Sequence, residues 1–202
     1  MLRVTYTSPK SMRWLTELLR LLDSENPWEL GSSTIVKTLR SFVREGLRDL
    51  VTNETFPRGF AVPRIVFTYL DYLLVERSPE LLKDYSFGFR TSIEHFSPQN
   101  PSEGQGGIDL SQNLLNDFGN LALLTVSSNS RFGNLSPLSK VQDFEPQVQQ
   151  SPKLALMAEV VTSGKPWDDD AVSRHRDSML TILRNDVAAA TGPSDGPSNQ
   201  SA

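Results

Sequence analysis

The sequence predicts an α+β fold that is mostly helical. Apolar residues recur at helical spacing over most of the first 76 residues, two short β-prone segments lie in the middle of the chain, and helical patterns return after residue 152. With 202 residues, 38% of them hydrophobic, the chain suffices for one ordinary domain or two very small ones.

Residues 1–56 are predicted to form an N-terminal helical segment. Ser8-Pro9 is typical of a helix start, and Asn26-Pro27 breaks the apolar pattern that follows it. A second helix is predicted over about residues 33–51, with three arginines on the side opposite its apolar residues: Arg40, Arg44 and Arg48. We interpret this basic row as a solvated helix face, with contact to a phosphate backbone or a partner as the alternative.

The middle of the chain changes from helical to extended character. Pro63 begins a third helix that is predicted to run to about Glu76. The alternating segment 86–93 predicts a short strand that ends at Glu94-His95, and the segment 121–126 predicts a second strand. The polar, Gly-rich stretch between them, from Ser97 to Gly107, is predicted to be a loop.

The C-terminal part is predicted to be helical and then disordered. A short or irregular helix is expected within residues 129–140 because this segment holds Asn, Gly and Pro. Longer helices are predicted over 152–162 and 168–187, the latter with acidic residues at its N-terminal end. Residues 188–202 are polar and of low complexity, which predicts a disordered tail.

Composition excludes several classes of protein. A net charge of −4 excludes binding to nucleic acid by bulk charge, although a local basic groove stays possible. Without cysteine the chain has no disulfides, thiolate metal site or cysteine nucleophile, which favours a reducing compartment such as the cytoplasm. No apolar stretch approaches the roughly 20 residues that span a bilayer, so we expect no membrane partner.

Histidine-dependent chemistry has only two candidates, His95 and His175. His175 lies between two arginines on a predicted exposed helix, and we interpret it as solvated. His95 follows Glu94 at the end of a predicted strand. A Glu-His pair alone favours a structural or surface histidine over a catalytic one. The segment 119–140 downstream changes this interpretation, because it is rich in asparagine and ends in a lysine.

These residue types can bind a divalent cation and take a proton from water. A hard cation prefers oxygen ligands, which a glutamate carboxylate and an asparagine amide supply. A neutral imidazole beside such a cation can take a proton from water, and a further polar side chain must orient that imidazole. Asparagines in this setting are otherwise typical of turns and helix caps.

The pattern resembles the HNH, or ββα-metal, nuclease domain at the C-terminal end of GmrSD-type restriction endonucleases. Four elements carry the resemblance: IEHFSPQ at 93–99, GNLALL at 119–124, Asn129-Ser130 and Lys140. The segment from Trp167 to Arg176 is similar to the helix that closes the family's domain. The resemblance covers about residues 60–187 and implies helices that flank a small ββα-metal motif. The nuclease-like domain would then span 57–187, with its motif core at 86–145.

The resemblance also implies roles for individual residues. His95 would be the general base that activates water, and Asn120 would belong to the catalytic set by bracing the metal-binding loop and the orientation of His95. Glu94 and Asn129 would hold a single divalent metal, Mg²⁺ or alternatively Mn²⁺.

Lys140 and Arg131 would contact the substrate phosphate in this scheme. The implied activity is metal-dependent cleavage of DNA, in restriction of foreign or modified DNA and hence in phage defence. Family members usually carry a ParB-like nucleotide-hydrolysing domain as well. The sequence holds no P-loop, so a separately encoded ParB-like specificity subunit is the expected partner. A catalytically weak module that keeps the fold and binds nucleic acid or a partner is the alternative.

Overall fold

Two short strands lie between layers of helices in the computed structural model, which describes residues 1–8, 11–24, 26, 30–79, 85–101 and 108–189. In the described residues the elements are α1 (Leu2–Thr5), α2 (Arg13–Ser24), α3 (Ser32–Thr52), α4 (Arg64–Arg77), β1 (Ser92–His95), α5 (Gln112–Leu115), β2 (Leu121–Leu124), α6 (Val126–Phe132), α7 (Pro137–Asp143), α8 (Glu145–Val148), α9 (Pro152–Thr162) and α10 (Asp169–Ala188). The mostly helical α+β class is confirmed.

β1 and β2 pair in antiparallel orientation, with Ser92 opposite Leu124 and His95 opposite Leu121. The first strand ends at His95, as the sequence predicts, but begins only at Ser92. The second strand is shorter than predicted because Thr125 caps α6, its side chain accepting a hydrogen bond from the backbone of Ser128.

The two-stranded sheet separates two apolar cores. Ile93, Leu121 and Leu123 belong to a core shared with α3, α4 and α10, whereas Ala122 and Leu124 belong to a core that includes residues of α9 and Trp167. Side chains along a strand alternate between faces. Neighbouring residues of β1 therefore face different cores.

The N-terminal helices contribute to the first core. Val43, Leu47 and Val51 of α3 are buried together with residues of α4 and α10. On the same helix, Arg40 and Arg44 form ion pairs with Asp186 of α10, so the interpretation of both as members of a solvated face is wrong. Their acidic partner lies far away in sequence and is invisible in the local pattern. Arg48 is exposed, as expected.

The C-terminal helices largely follow the sequence prediction. Segment 129–140 contributes to two short helices, α6 and α7, which are separated by a turn at Gly133 with φ +47°. α9 spans 152–162 as predicted, and α10 starts one residue after its cap, Asp168. The predicted loop at 97–107 lies partly outside the described residues. Of the predicted tail at 188–202, Ala188 still belongs to α10, and residues 190–202 lie outside the described residues. Within the described part of the chain, no helix has the length and apolar character needed to cross a bilayer.

Candidate active site

A strand–strand–helix unit, formed by β1, β2 and α6, carries the candidate site. His95 ends β1, Asn120 immediately precedes β2, and Asn129 lies in α6. Asn129 Nδ2 donates to Ser92 Oγ at 2.7 Å, which fixes α6 against the first strand. Antiparallel pairing thus brings His95 and Asn120 to one end of the small sheet, whereas Asn129 contacts Ser92 at the other end of β1.

The His95 ring is oriented by Asn116. Its Nε2 lies 2.9 Å from Asn116 Oδ1, and the same oxygen accepts a hydrogen bond of 3.0 Å from the side-chain amide of Gln99. Because that oxygen can only accept, the hydrogen-bond network assigns the proton of the neutral imidazole to Nε2. The other ring nitrogen, Nδ1, then keeps its lone pair and can take a proton.

His95 lies at the edge of a largely apolar environment. The residue is 8% exposed, and the ring of Phe60 packs edge-on against it at 6.0 Å between centroids. Burial lowers the pKa of His95, and this effect outweighs the hydrogen bond with Asn116, which acts in the opposite direction. The neutral form, which is the form able to act as a base, is thereby favoured.

Glu94 faces the opposite side of the sheet and pairs with Lys140. The Nζ of Lys140 donates to Glu94 Oε1 at 2.6 Å and to the backbone oxygens of His95 and Phe96 at 2.6 and 3.0 Å. Burial lowers the pKa of Lys140 and raises that of Glu94, while their mutual attraction opposes both shifts. The pair thus joins α7 to the end of β1.

This position corrects the expectation that Lys140 contacts a substrate phosphate. The residue is fully buried, and its ammonium group, which has three N–H donors, makes three hydrogen bonds within the protein. We therefore assign Lys140 to the support of the site. Arg131, the other predicted phosphate ligand, is exposed on α6.

Asn120 braces the loop after β1. Its Oδ1 accepts from the backbone of Ser97 and from Trp167 Nε1, at 2.9 and 3.1 Å. Its Nδ2 donates to the backbone oxygens of Ser97 and Leu115, both at 3.0 Å. These bonds saturate the amide, and none reaches the His95 ring. Orientation of that ring, expected of Asn120, is supplied by Asn116, which nothing in the sequence pattern distinguishes from the other asparagines.

Glu94 and Asn129, the residues expected to bind the metal, lie on the same face of the sheet. Asn129, half-buried, contacts Ser92, and Ser92 and Glu94 lie two positions apart on β1. No side-chain hydrogen bond joins any two of Glu94, His95 and Asn129, all of which lie in the described residues. The described ranges also contain no cluster of three or more His, Cys, Asp or Glu side chains suited to a metal.

The chemistry of the available donors is nonetheless compatible with a hard cation. Lys140 engages Oε1 of Glu94, and a carboxylate offers about four lone-pair sites in total. Asn129 uses its Nδ2 toward Ser92, so its amide oxygen is the atom that could coordinate. Mg²⁺ commonly keeps several waters and takes only one or two carboxylates from the protein. One carboxylate and one amide oxygen fit that requirement.

His175 is buried, contrary to the sequence-based expectation of a solvated residue. It is 9% exposed, packs 5.7 Å from the ring of Trp167, and finds no hydrogen-bond partner for Nε2 among the described residues. Burial, followed by the nearby charge of Lys153, lowers its pKa well below the usual value. The flanking arginines suggest exposure, but Val172, His175 and Met179 share the buried face of α10.

A second buried lysine supports the site loop and has no counterpart in the predicted set. Lys153 donates to the backbone oxygens of Phe118 and Leu121 at 2.8 and 2.6 Å, on either side of Gly119-Asn120. Burial lowers its pKa to about 7. In the sequence it is one lysine in an apolar helix, which gives no sign of this contact.

The fold and the site define a helical α+β domain with a histidine at the end of a two-stranded sheet, next to a helix that carries an asparagine. The family model described as "GmrSD restriction endonucleases, C-terminal domain" matches residues 44–182. This match covers more than half of the chain, and the chain belongs to that family, which confirms the resemblance. No match was found among curated proteins or among solved structures.

Proposed function

We propose that this chain is a metal-dependent DNA endonuclease with an HNH-type site. The observation that carries the proposal is the hydrogen bond of His95 with Asn116, which leaves Nδ1 free to accept a proton at the end of a strand–strand–helix unit. Membership of a restriction-endonuclease family supports hydrolysis of phosphodiester bonds.

His95 acts as the general base in the proposed reaction. A water O–H bond breaks, its proton moves to Nδ1, and the water oxygen forms a bond to phosphorus while the bond to the 3′-oxygen breaks. The Nε2–H of the resulting imidazolium still donates to Asn116 Oδ1, and that contact is stronger to the charged ring than to the neutral one. The departing 3′-oxygen takes a proton from a solvent water molecule, and the imidazolium later returns its proton to solvent. The products then carry a 5′-phosphate and a 3′-hydroxyl.

Glu94 and Asn129 are the proposed ligands of one divalent cation, Mg²⁺ or alternatively Mn²⁺. Such a cation, when bound, supplies charge stabilisation to the phosphate and to the departing oxygen. Lys140 and Asn120 support this arrangement from inside the protein, since their contacts fix the end of β1 and the loop that follows it. Arg131, exposed on the helix of Asn129, is the proposed phosphate contact on this face.

Target choice is proposed to reside elsewhere. The chain has a net charge of −4, which is unfavourable for tight autonomous binding of DNA. We propose a separately encoded ParB-like nucleotide-hydrolysing subunit as partner, cytoplasmic location, and restriction of foreign or modified DNA as the biological role.

Incubation of the purified protein with supercoiled plasmid tests this function. Nicking is expected with Mg²⁺ or Mn²⁺ and not with excess EDTA, and ligase should reseal the nicks because they carry 5′-phosphates. Asn129→Ala should abolish nicking, whereas the neighbouring exposed Ser130→Ala should not.

The alternative is a catalytically weak module that binds nucleic acid or a partner. The engagement of Glu94 by Lys140 favours it, because a neighbouring ammonium opposes cation binding. A module of this kind would retard DNA on a gel and leave it uncut with either metal.

A further inference from the structure

We propose that Arg58 and Arg176 form a clamp that binds a phosphate of the DNA strand beside His95. This inference rests on the proposed nuclease function and adds to it the residues that position the substrate. The sequence pattern gives neither arginine a role: Arg58 lies outside the four motif elements, and Arg176 ends the segment that is similar to the family's closing helix. They come from the segment before α4 and from α10, and meet only in the folded chain.

The two guanidinium groups converge on one carboxylate oxygen. Arg58 lies 3.5 Å and Arg176 3.2 Å from Asp117 Oδ2. The Asp117 side chain is only 6% exposed, and its other oxygen accepts a 2.8 Å hydrogen bond from the backbone of Gly119. A rigid, buried anchor therefore holds the two arginines next to each other.

Backbone and ring contacts connect this clamp to His95. Asp117 directly follows Asn116, the residue that orients the imidazole. The backbone N–H of Gly59, next to Arg58, donates to the backbone oxygen of Asn116 at 2.8 Å. Phe60, one residue further along, packs against the His95 ring. The clamp and the proposed base are therefore tied to the same short segments.

Both arginines of the clamp have more N–H donors than Asp117 can accept. A guanidinium has five N–H donors in a planar fork that matches a phosphate. The Arg58 and Arg176 side chains remain 51% and 30% exposed, so both can be reached from solvent. Arg176 also contacts Asp177, but that carboxylate is exposed, and such surface pairs exchange readily with solvent.

The charged side chains that these contacts place around the clamp are more positive than negative, unlike those of the chain as a whole. Arg64 is a third exposed guanidinium on this surface and donates to the backbone oxygen of Phe60 at 3.3 Å. Against these three arginines stand Asp117 and Asp177, which leaves a surplus of positive charge. A local basic surface of this kind can contact a polyanion in spite of an acidic net charge.

The affinity for a short, fluorescently labelled DNA duplex tests the clamp. Fluorescence anisotropy in EDTA gives Kd at a series of salt concentrations. Arg58→Ala and Arg176→Ala should each weaken binding about tenfold, as expected for loss of a hydrogen bond to a charged group. Each should also reduce the slope of log Kd against log salt by about 0.9, the value for one phosphate contact. The matched control is Arg48→Ala, which removes an exposed arginine of α3 and should change neither quantity.

Four results would overturn the proposal. If the double variant has a lower melting temperature but an unchanged salt slope, the arginines only stabilise the fold. If binding of an RNA of the same sequence is weakened and binding of the DNA is not, the ligand class is wrong. If the unmutated chain cuts plasmid while the double variant cuts and binds equally well, the clamp fails and the nuclease function stands. If the unmutated chain neither binds nor cuts DNA, both the clamp and the nuclease function are wrong.

Discussion

His95 donates through Nε2 to Asn116 Oδ1 across 2.9 Å, and Gln99 donates to the same oxygen. One acceptor shared by two donors fixes which ring nitrogen carries the proton, and so which one can act as a base. Asn116 is thus a positioning residue for the proposed reaction.

Asn116→Ala is expected to reduce DNA cleavage about 10- to 100-fold, because the imidazole loses its orientation and its acceptor. The backbone oxygen that binds Gly59 is unaffected, so the melting temperature should change little. The cleavage rate under single-turnover conditions is the measurement. Asn113→Ala, at an exposed position of the same short helix region, serves as control and should cut normally. Full activity of Asn116→Ala would show that the hydrogen bond does not matter.

Lys140→Met should destabilise the protein by about 3 kcal/mol, because it leaves the Glu94 carboxylate buried without its partner. Chemical denaturation gives the free energy of unfolding. Lys165→Met, at an exposed lysine, should cost far less. If Lys140→Met has normal stability but binds DNA more weakly, Lys140 contacts the substrate phosphate after all.

Gly119→Ala is expected to be strongly destabilising, by about 3 kcal/mol or more, because the chain passes very close to α10 at this point. A Cβ added to Gly119 would lie 2.1 Å from the backbone oxygen of Val172. Gly46→Ala offers the matched control, since in the described part of the chain no atom outside the local helix backbone lies within 4 Å of a Cβ at that exposed position in α3. That control should stabilise the protein by about 0.5–1 kcal/mol through helix propensity. Equal stabilities of the two variants would contradict the close packing at Gly119.

Asp186 should contribute a pH-dependent part of the stability. Burial raises its pKa, but hydrogen bonds from Arg44, Tyr69 and Arg40 outweigh burial and lower it from 3.8 to about 2. A carboxylate with a depressed pKa in the folded state stabilises the protein above the unfolded value of 3.8. This contribution, about 2 kcal/mol, is lost as the pH falls toward 2.

Denaturation of the unmutated protein and of Asp186→Asn at a series of pH values measures this effect. The stability difference between the two should be largest above pH 4 and should shrink below it. Asp49→Asn, at an exposed position of α3, should show no such pattern. A difference that stays constant from neutral pH to pH 2.5 would mean that Asp186 is not held as a carboxylate by these partners.

Local patterns predict most of the elements of this fold. Apolar spacing predicts α3, α4, α9 and α10 to within about a residue at most ends, because each buries a continuous face. The sequence predicts the ends of the strands less accurately. β2 stops where Thr125 caps a helix, and β1 begins only at Ser92, although the backbone N–H of Thr91 still donates to the backbone oxygen of Leu124.

The candidate site is predictable only where a residue belongs to a motif. His95, Asn120 and Asn129 lie in the strand–strand–helix unit, but their contacts depend on partners that spacing does not reveal. Asn116 looks like any loop asparagine, and Lys140 looks like a surface lysine until α7 places it beneath β1. His175 looks solvated because of its neighbours in sequence, yet its helix turns it toward Trp167. Long-range contacts decide each of these cases.

The most direct test of the proposed nuclease is the rate at which purified His95→Ala cleaves a DNA duplex in Mg²⁺ or Mn²⁺. Loss of a general base should slow cleavage by about 10² to 10⁴-fold, while the melting temperature and the affinity for DNA stay close to those of the parent protein. A His95→Ala protein that cuts DNA as fast as the parent would contradict the assignment of His95 as the base.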